Sequence, residues 1–545
     1  MKPVSFLGVV VGVACAAVGG AQSRTTAAVT VLVPVTDDKG SVADSTASDG
    51  SRYPVFKLAE HSPLVRQVYG ILATSFAHEV IRLERYARNL LLTDAVGAPR
   101  PELKAPAYVL MSKEEGGFAR QGFWLDDVKE GRRLVRAGYV DLVITTESME
   151  SGDLEEIFSH ELGHQILHDL VGALPPRQSR NMHQSMTVTD YPTAFDEGYA
   201  EHFQPLARDA TSNPALRALS AGATATDLAM LWISRLDTQL RTDGVKRNLF
   251  IHRKALPAAA LDGSADRYVL YVADETSTAF VDELRNGQEM MASEGVIATL
   301  FYRIVSNPTI RAHRREPAFY RAFLAAGQSP EAISPYENAN LKLFVAMRHA
   351  AKTIASGAPP MFALVQSYAE TFPDEARAIY TVFLETTRGA TASQEVARAF
   401  ERAATEGRRG DITAFRSSSR AAFTLLDSTI DRVTHGGVAV DANVGPELWL
   451  LNTDFKIASA LWDPNRTLEF TLNLNTASEV DLMTIPGVDL GTARKTIAIR
   501  RAGGFFRSFD DLASVVSPEL HQTFVLMHNQ MGSSGPERPP RSDRR

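Results

Sequence analysis

Apolar residues recur at helical spacing along most of the chain. Over residues 62–92 they return every three or four positions, so they lie mainly on one face of a predicted helix. Residues 108–111 and 141–145 are instead short apolar runs with the composition of strands. From about residue 205 to 430 the chain is Ala-rich and helical in period, with a short strand or hairpin predicted over residues 267–272. This pattern predicts an α+β protein that is mainly α.

The first 21 residues have the layout of a secretory signal peptide. Lys2 precedes an apolar run from Val4 to about Val18, and small residues follow at Gly19 and Ala21, where signal peptidase requires them. The run is shorter than the roughly 20 apolar residues of a membrane span. We therefore expect export to the periplasm or the extracellular space, with no transmembrane segment in the mature chain.

Cys15 is the only cysteine in the chain, so the mature protein must be stable without disulfides. It is also the candidate for a lipid anchor. Gly12 stands three positions before it, where lipoproteins have an apolar residue, and apolar residues continue after it. We therefore do not expect a lipoprotein.

Composition divides the remaining chain into segments. Residues 22–52 are rich in Thr, Ser, Ala and Asp and are predicted to form a disordered spacer, whereas residues 532–545 form a disordered basic tail. A Gly-rich start marks a linker over residues 433–469, which separates a domain at 53–432 from a compact module at 470–531. The formal net charge of −7 gives no reason to expect bulk nucleic-acid binding.

The sequence HELGH at residues 160–164 places two histidines four residues apart on a predicted helix. His160 and His164 then project from one face about 6 Å apart, so both can reach one Zn²⁺ at about 2.0–2.1 Å. Glu161 points about 100° away, toward where a metal-bound water would sit, and can take its proton. The alternative is a structural helix whose histidines bond to backbone or carboxylate groups.

A third ligand candidate follows in DEGYAEH at residues 196–202. With both motifs, residues 105–205 resemble the gluzincin metallopeptidases, in which HExxH is followed by a glutamate ligand on the next helix. The resemblance implies a zincin-like core, with a small mixed sheet before the active-site helix and an α-helical lobe after it. It also implies a set of site residues: His160, His164 and Glu197 as ligands of one zinc, Glu161 as the general base, and Glu201 as a carboxylate that supports His160.

The chain departs from that family in the interval between the motifs. Between His164 and Glu197 lie 32 residues, more than the family usually has, and this leaves Glu201 open as the ligand with Glu197 in support. His168 follows His164 by four residues, but three such histidines fan over about 80° and climb about 12 Å along a helix. We therefore expect His168 to face solvent or a loop rather than the same ion.

Peptidases of this kind need a donor for the oxyanion. Glu294 begins a predicted helix and is expected to cap it rather than take part in chemistry. A Gly-x-Met-Glu-Asn segment, which gluzincin aminopeptidases use, is absent from the sequence, and this favours an endopeptidase. The candidates for oxyanion or substrate contacts are Tyr199, His202 and His183, with Tyr268, Tyr271 and Tyr302 as further tyrosines, any of which is more often a core residue.

Residues 472–516 read as short helices joined by tight turns, and they resemble the helix-hairpin-helix domains of bacterial DNA-uptake receptors. In that family hairpin glycines let backbone N–H groups approach a phosphate. Here Asp489 replaces the second glycine of the usual Gly-x-Gly, and residues 473–545 hold nine basic against eight acidic side chains. We therefore favour a protein-docking or packing role over DNA binding. If DNA is bound, the expected contacts are Gly487, Gly491, Arg494, Lys495, Arg500 and Arg501.

The sequence thus predicts an exported zinc metallopeptidase with one Zn²⁺ per chain, a peptide or protein substrate, and a small all-α helix-hairpin-helix domain at its end. A second hypothesis is an envelope DNA-binding or adaptor protein whose peptidase-like domain is not catalytic. Glu161 favours the first, because a purely structural zinc site has no need of a base there.

Overall fold

The structure is a computed structural model that describes residues 28–93, 100–113, 116–177, 183, 185–219, 237–252, 284–455, 468–503 and 505–533. The predicted signal peptide with Cys15, the strand predicted over residues 267–272 with Tyr268 and Tyr271, and residues 534–545 of the predicted tail lie outside this part of the chain. Among the described residues, no helix combines the length and the apolar character that crossing a bilayer requires.

The strands of the described residues fall in two groups, one near each end of the chain. They are β1 Val29–Pro34, β2 Asp44–Thr46, β3 Arg52–Leu58, β4 Ala107–Ser112, β5 Phe118–Asp127, β6 Gly131–Val143, β7 Trp449–Phe455 and β8 Leu468–Asn473. The two runs that the sequence predicts as strands correspond to β4 and to the end of β6.

Helices fill most of the remaining described chain. In order they are α1 Pro63–Thr74, α2 Phe76–Thr93, α3 Thr146–Ser151, α4 Asp153–Val171, α5 Tyr191–Glu201, α6 Phe203–Ala210, α7 Pro214–Ala218, α8 Asp237–Lys246, α9 Gly287–Met291, α10 Glu294–Ser306, α11 Pro308–Ala312, α12 Pro317–Arg321, α13 Pro335–Ala355, α14 Pro360–Thr371, α15 Ala376–Thr386, α16 Gln394–Arg408, α17 Ile412–Thr434, α18 Glu479–Met483, α19 Leu490–Gly503 and α20 Pro518–Ser533. The prediction of a mainly α protein with some sheet is confirmed.

The single helix predicted over residues 62–92 is two helices. Ser75, which lies between α1 and α2, has extended backbone with φ −91° and ψ −176°. The amide N–H of Phe76 donates to the buried carboxylate of Glu155 in α4 at 3.0 Å. The break therefore turns the start of α2 toward the helix that carries HELGH.

Five strands close into a small barrel. β1 pairs in parallel with β4 and antiparallel with β3, β4 pairs in parallel with β6, and β5 joins β6 to β3. Aromatic side chains fill the interior: the ring of Phe56 lies 5.3 Å from that of Phe123 and 5.1 Å from that of Tyr139. The sheet is mixed, as predicted, but it closes on itself rather than remaining open. A zincin-like core is therefore not confirmed at the level of the sheet.

The disordered spacer predicted over residues 22–52 is wrong for residues 28–52. β1 lies within the barrel, and Val29, Val31 and Leu32 are buried. Leu32 faces the barrel interior, whereas Val29 and Val31 join the core between the barrel and the helices. Both faces of β1 are covered, and even Thr30 is buried, so this short strand lacks the alternation of a half-exposed strand. The prediction of a spacer followed the polar composition of the residues around it.

The outer face of the barrel packs against α2 and α4. Val109 and Val140 of the barrel share one core with Val80 of α2 and with Phe158 and Leu162 of α4. This core continues into the later helices up to α17. Helix α4 therefore lies at the centre of the molecule, between the barrel and the helical lobe.

The linker predicted over residues 433–469 is wrong where β7 and β8 form a two-stranded antiparallel sheet. Leu448 and Leu450 share a core with Leu482, Phe506 and Phe524 of the helices that follow. The C-terminal module therefore begins near residue 448, and it is not all-α as the sequence suggested. Its apolar WLL run needs the pairing with β8, which lies too far along the chain for a local pattern to reveal.

Candidate functional site

Helix α4 is buried on nearly every side, and HELGH lies in its middle. Gly163 allows the close approach of the next helices: a Cβ added there would lie 2.9 Å from the ring of Phe203 and 3.1 Å from the Cα of Ala200. A larger residue at this position would push α5 and α6 away from α4. The glycine of the motif therefore sets the distance between the two helices that carry the candidate ligands.

Helix α5 carries the third candidate ligand. Asp190 caps this helix by accepting a hydrogen bond from the amide of Thr193 at 2.8 Å. At Gly198, a Cβ would lie 2.8 Å from the carbonyl oxygen of Glu294 and 2.7 Å from Ile297 in α10. Close packing against α10 on one side and α4 on the other fixes the rotation of α5, and Glu197 then faces the histidines of α4.

His160, His164 and Glu197 converge on one point. Oε2 of Glu197 lies 3.4 Å from Nε2 of His164 and 3.9 Å from Nε2 of His160. All three side chains are buried, and one ligand atom from each lies within 4.8 Å of the others. Two histidines and one glutamate form the protein ligand set of many catalytic zinc sites, in which the fourth position stays open.

Asp196, which sequence reasoning missed, holds the second histidine in place. Its Oδ1 lies 2.7 Å from Nδ1 of His164, and its Oδ2 lies 3.1 Å from Nε2 of His168 and 3.0 Å from Nη2 of Arg177. Burial alone would raise the pKa of Asp196, but the two histidines outweigh it and hold that pKa well below its usual range. A hydrogen bond at Nδ1 directs the other nitrogen of His164 toward Glu197. The signal in the sequence was an acidic residue directly before the predicted ligand.

His168 contacts this aspartate rather than the three converging ligand atoms. Its side chain is 51% exposed, in agreement with the expectation that it faces solvent or a loop. Of the three histidines on α4, His160 and His164 are therefore directed at Glu197. His168 is directed at Oδ2 of Asp196.

Glu201 does not support His160 as the resemblance implied. Oε1 of Glu201 accepts a hydrogen bond from Oγ of Ser185 at 2.8 Å, while Nδ1 of His160 makes no hydrogen bond in the described part of the chain. Glu201 also lies outside the group of converging ligand atoms, so the alternative in which it replaces Glu197 is not favoured. One further helical turn carries Glu201 beyond the histidines to the segment around Ser185.

Glu161 is a buried carboxyl whose pKa is raised to about 7. Burial is the main cause, and the negative charge of Glu197 adds to it. Nearby His164 and a hydrogen bond from the backbone of Ala119 in β5 oppose this rise. A carboxyl that titrates near neutral pH has the pKa that suits a general base.

His183 and Glu294 complete the surroundings of Glu197. Nε2 of His183 lies 3.7 Å from Oε1 of Glu197, and its Nδ1 lies 3.4 Å from Oε1 of Glu294. The close contact with the carboxylate of Glu294 raises the pKa of His183 to about 9. Glu294 was expected to cap α10, yet the capping position is Ser293, and the buried carboxylate of Glu294 faces His183 instead.

Tyr199 and His202 do not line this site, contrary to prediction. Both side chains are fully buried, their rings lie 5.0 Å apart, and both rings pack against Phe203 and Phe301. Burial lowers the pKa of His202 to about 3. Positions two and five residues after Glu197 lie on the far side of α5, which faces the core. Tyr302, a further tyrosine candidate, places its hydroxyl 3.3 Å from Asp209 instead.

A second group of metal-type side chains occurs among the described residues. His313, Asp374 and Glu375 bring their ligand atoms within 4.8 Å of one another. The buried Nζ of Lys342 lies 2.7 Å from Glu375, and Nη1 of Arg315 lies 2.7 Å from Asp374. Since cations already neutralise these carboxylates, the group is a charge network rather than a metal site.

The C-terminal hairpin joins α18 to α19 through Gly487, which has a φ of +88°. Oδ1 of Asp489 accepts a hydrogen bond from the amide of Thr492 at 2.7 Å and so caps α19. Gly491, which follows Asp489, is exposed. The carboxylate of Asp489 thus occupies a backbone N–H group at the start of α19.

The basic residues of α19 differ in their surroundings. Arg494 and Lys495 are exposed, and Nε of Arg494 lies 3.4 Å from Oε1 of Glu479. Arg500 is buried and donates to the carbonyl oxygens of Leu474 and Ala477, both at 2.9 Å. Arg500 therefore stabilises the interior of the module and is not the DNA contact that the sequence suggested. Arg501 is exposed, beside the helical lobe.

Comparison with known proteins bears on this module alone. A family model described as a helix-hairpin-helix motif matches residues 470–517, which confirms that part of the sequence prediction. No curated protein matches the chain, and no solved structure matches it either.

Proposed function

We propose that the chain is a zinc-dependent peptidase. The observation that carries this proposal is the convergence of His160, His164 and Glu197, whose ligand atoms lie within 4.8 Å of one another, with Glu161 next to the first histidine. A purely structural histidine cluster would not need a buried carboxyl with a pKa of about 7 beside it.

The residues present fit Zn²⁺. Their donor set is two imidazole nitrogens and one carboxylate oxygen, and Asp196 orients His164 as carboxylates orient histidine ligands in zinc sites. When bound, Zn²⁺ would polarise a carbonyl group and lower the pKa of water. His160, His164 and Glu197 would hold it, and the other side chains of the site would handle the proton and the substrate.

In the proposed reaction Glu161 takes a proton from the attacking water and passes it to the leaving amine. Glu161 is buried and directly follows the ligand His160 in the sequence, so its carboxyl lies close to where a metal-bound water would be. His183 lies on the other side of Glu197, and its contact with the carboxylate of Glu294 favours the protonated imidazole. A protonated imidazole in this position would stabilise the oxygen that becomes negative in the transition state.

The position of β5 favours a peptide as the substrate. Residues 118–121 pair with β6 on one side, whereas β3 joins β5 only at Trp124 and Leu125. No other strand of the described residues covers that first half of β5. The same stretch contains Ala119, whose backbone contacts Glu161. An extended peptide that paired with this edge would pass beside the proposed base.

The direct test is hydrolysis of casein by the zinc-loaded full-length chain. We expect Glu161→Gln to lower kcat by roughly 10²- to 10⁴-fold, the usual contribution of general acid–base catalysis, while it retains its zinc. Glu150→Gln, an exposed site on α3, serves as a matched control and should retain the wild-type rate. Equal rates for the wild type and Glu161→Gln would refute the proposal.

Export forms part of the same proposal. It rests on the signal-peptide layout of residues 1–21 alone. N-terminal sequencing of the secreted protein tests it, with Gln22 as the expected first residue. A mature protein that begins at Met1 would contradict it.

A second candidate function, DNA binding, is favoured by the match of the C-terminal module to the helix-hairpin-helix motif. Arg494 and Lys495 are exposed near the start of α19, where a phosphate would approach. Asp489 opposes this function, because its carboxylate occupies the amide of Thr492. A binding measurement with duplex DNA over a range of salt concentrations separates the candidates, since contacts with phosphates give a steep salt dependence.

A further inference from the structure

The segment that follows His183, residues 185–189, is fastened to the junction between α9 and α10. The amide of Thr189 donates to the carbonyl oxygen of Ala292 at 2.7 Å, and the amide of Gly295 donates to that of Ser185 at 3.0 Å. Oγ of Ser293 reaches the same Ser185 oxygen at 3.3 Å. The position of this segment, and with it that of His183 near Glu197, therefore depends on where the junction lies.

The side chain of Arg285 links the 185–189 segment to the junction between α9 and α10. Its side chain is buried, Nη1 donates to Oγ of Ser293, and Nη2 donates to the carbonyl oxygen of Met186, each at 2.5 Å. Hydrogen bonds from a guanidinium are charge-assisted, and its planar fork fixes the two acceptors relative to each other. Arg285 thus holds the 185–189 segment against the start of α10 while its own backbone continues into α9.

The C-terminal module contacts α9 directly after this arginine. Nδ2 of Asn286 donates to the carbonyl oxygen of Asn475 at 2.7 Å. Nε2 of Gln288 donates to the carbonyl oxygen of Pro446 at 2.9 Å and also to that of Gly445, in the segment that leads into the module. Asn475 is itself bonded to Pro446 and to the module's interior, so α9 is held by an ordered part of the module.

A second set of contacts joins the module to the helical lobe without involving α9. Gln394 and Arg398 of α16 both donate to the carbonyl oxygen of Arg501, each at 2.9 Å. A cavity of about 210 Å³ lies between the two sets of contacts. The interface is therefore polar and incompletely filled, as contacts between domains of one chain often are.

We propose that the C-terminal module positions the peptidase site of its own chain, through α9 and Arg285, by fixing the segment that places His183 beside Glu197. This inference rests on the proposed function, because the contact that it positions is part of the proposed reaction. Arg285, Asn286 and Gln288 act as positioning residues, since Arg285 holds the 185–189 segment and the start of α10, and the other two hold α9, which follows Arg285. The module's role is then intramolecular, in addition to any ligand that it binds.

The test compares two glutamines in the full-length, zinc-loaded chain. Gln288→Leu removes the donor from α9 to Pro446, which Asn475 holds against the module, and Gln394→Leu removes a donor of the same kind from α16 to the module. For Gln288→Leu we expect faster hydrogen–deuterium exchange at the amides of Thr189 and Gly295. We also expect a fall in kcat of roughly 5- to 20-fold, because small displacements at an active site cost up to about 10²-fold, with KM and zinc content unchanged. Gln394→Leu should resemble the wild type in each measurement.

Two outcomes would overturn the proposal. One is unchanged exchange at Thr189 and Gly295 in Gln288→Leu, and the other is an equal change in both glutamine variants, which would indicate general loosening of the module. Asn286→Asp, which keeps an acceptor to cap α9 but loses the donor to Asn475, gives the same test should Gln288→Leu fail to fold. The exchange measurement does not depend on hydrolysis. An inactive wild type would therefore refute the proposed function, while exchange would still decide the coupling.

Discussion

Oδ1 of Asp196 lies 2.7 Å from Nδ1 of His164, and both side chains are buried. The residue next to Asp196 is Glu197, so one helix supplies a candidate ligand together with the carboxylate that orients another. This pairing replaces the one between Glu201 and His160 that family resemblance implied. It has a measurable consequence for metal affinity.

Asp196→Asn should weaken zinc binding by about 10- to 100-fold, the usual effect of removing a carboxylate that orients a histidine ligand. Titration against a competing chelator measures this affinity. Asp169→Asn is a suitable control, because Asp169 is an acidic residue of α4 that pairs with Arg88 of α2 instead of a histidine. Unchanged zinc affinity in Asp196→Asn would show that Asp196 does not orient a ligand.

Tyr199→Phe should leave kcat unchanged. The hydroxyl is buried in the core and makes no hydrogen bond within the described residues. Its removal should therefore keep or raise the midpoint of thermal unfolding, since a buried unsatisfied polar group costs about 1–3 kcal/mol. Casein hydrolysis and thermal unfolding check both statements. Loss of an oxyanion donor would instead lower kcat by about 10²- to 10³-fold, and that result would return Tyr199 to the active site.

Glu447 should make the protein less stable as the pH rises. Burial raises the pKa of this carboxyl from its usual 4.5 to about 8, and nearby Asp190 adds to the rise, although Trp449 partly offsets it. Between these two values the folded state holds a proton that the unfolded state has released, so the free energy of unfolding falls with increasing pH. The loss begins near pH 4.5 and is complete above about pH 8.

Glu447→Gln removes this titration. The midpoint of thermal unfolding of the variant should exceed that of the wild type at pH 8.5, and the difference should shrink toward pH 5. Glu479→Gln, at an ion-paired glutamate of the same module that is partly exposed, serves as the control. A constant difference between Glu447→Gln and the wild type across the pH range would show that Glu447 is not held neutral in the fold.

Asp489→Gly should increase the affinity of the chain for duplex DNA. The change frees the amide of Thr492 and removes a negative charge from the hairpin. Binding should then weaken with salt, with a logarithmic slope close to −0.9 for each phosphate contacted. Asp510→Gly, at an exposed acidic residue of the same module, controls for the change in net charge. Equal affinities for the two variants would exclude the hairpin as a phosphate site.

Local spacing predicted that His160 and His164 converge, whereas the family resemblance implied Glu197 as the third ligand. Two histidines four residues apart must share a helix face, and Glu197 follows on the next helix. The rotation of α5 was not predictable, because it depends on where Gly198 packs against Ile297 of α10. For that reason Tyr199, His202 and Glu201 were wrongly predicted to face the site.

The barrel was harder to predict than the helices. β5 has an irregular polar pattern and shifts register near Gly122, whose φ is +82°, so it lacks the alternation of a regular strand. Closure of the barrel depends on the pairing of β1 with β3, in which Leu32 lies opposite Leu58, and no local pattern reveals this pairing. Helix periods, in contrast, are local properties, and the predicted helices were therefore largely found.

The zinc content of the purified full-length chain tests the central claim most directly, with wild type, His164→Ala and His168→Ala measured side by side. We predict about one zinc per chain in the wild type and in His168→Ala, and little in His164→Ala, because three protein ligands hold one ion. His168→Ala is the matched control, since His168 lies on the same helix but contacts Asp196. A wild type without zinc, or a His164→Ala variant that retains it, would contradict the account.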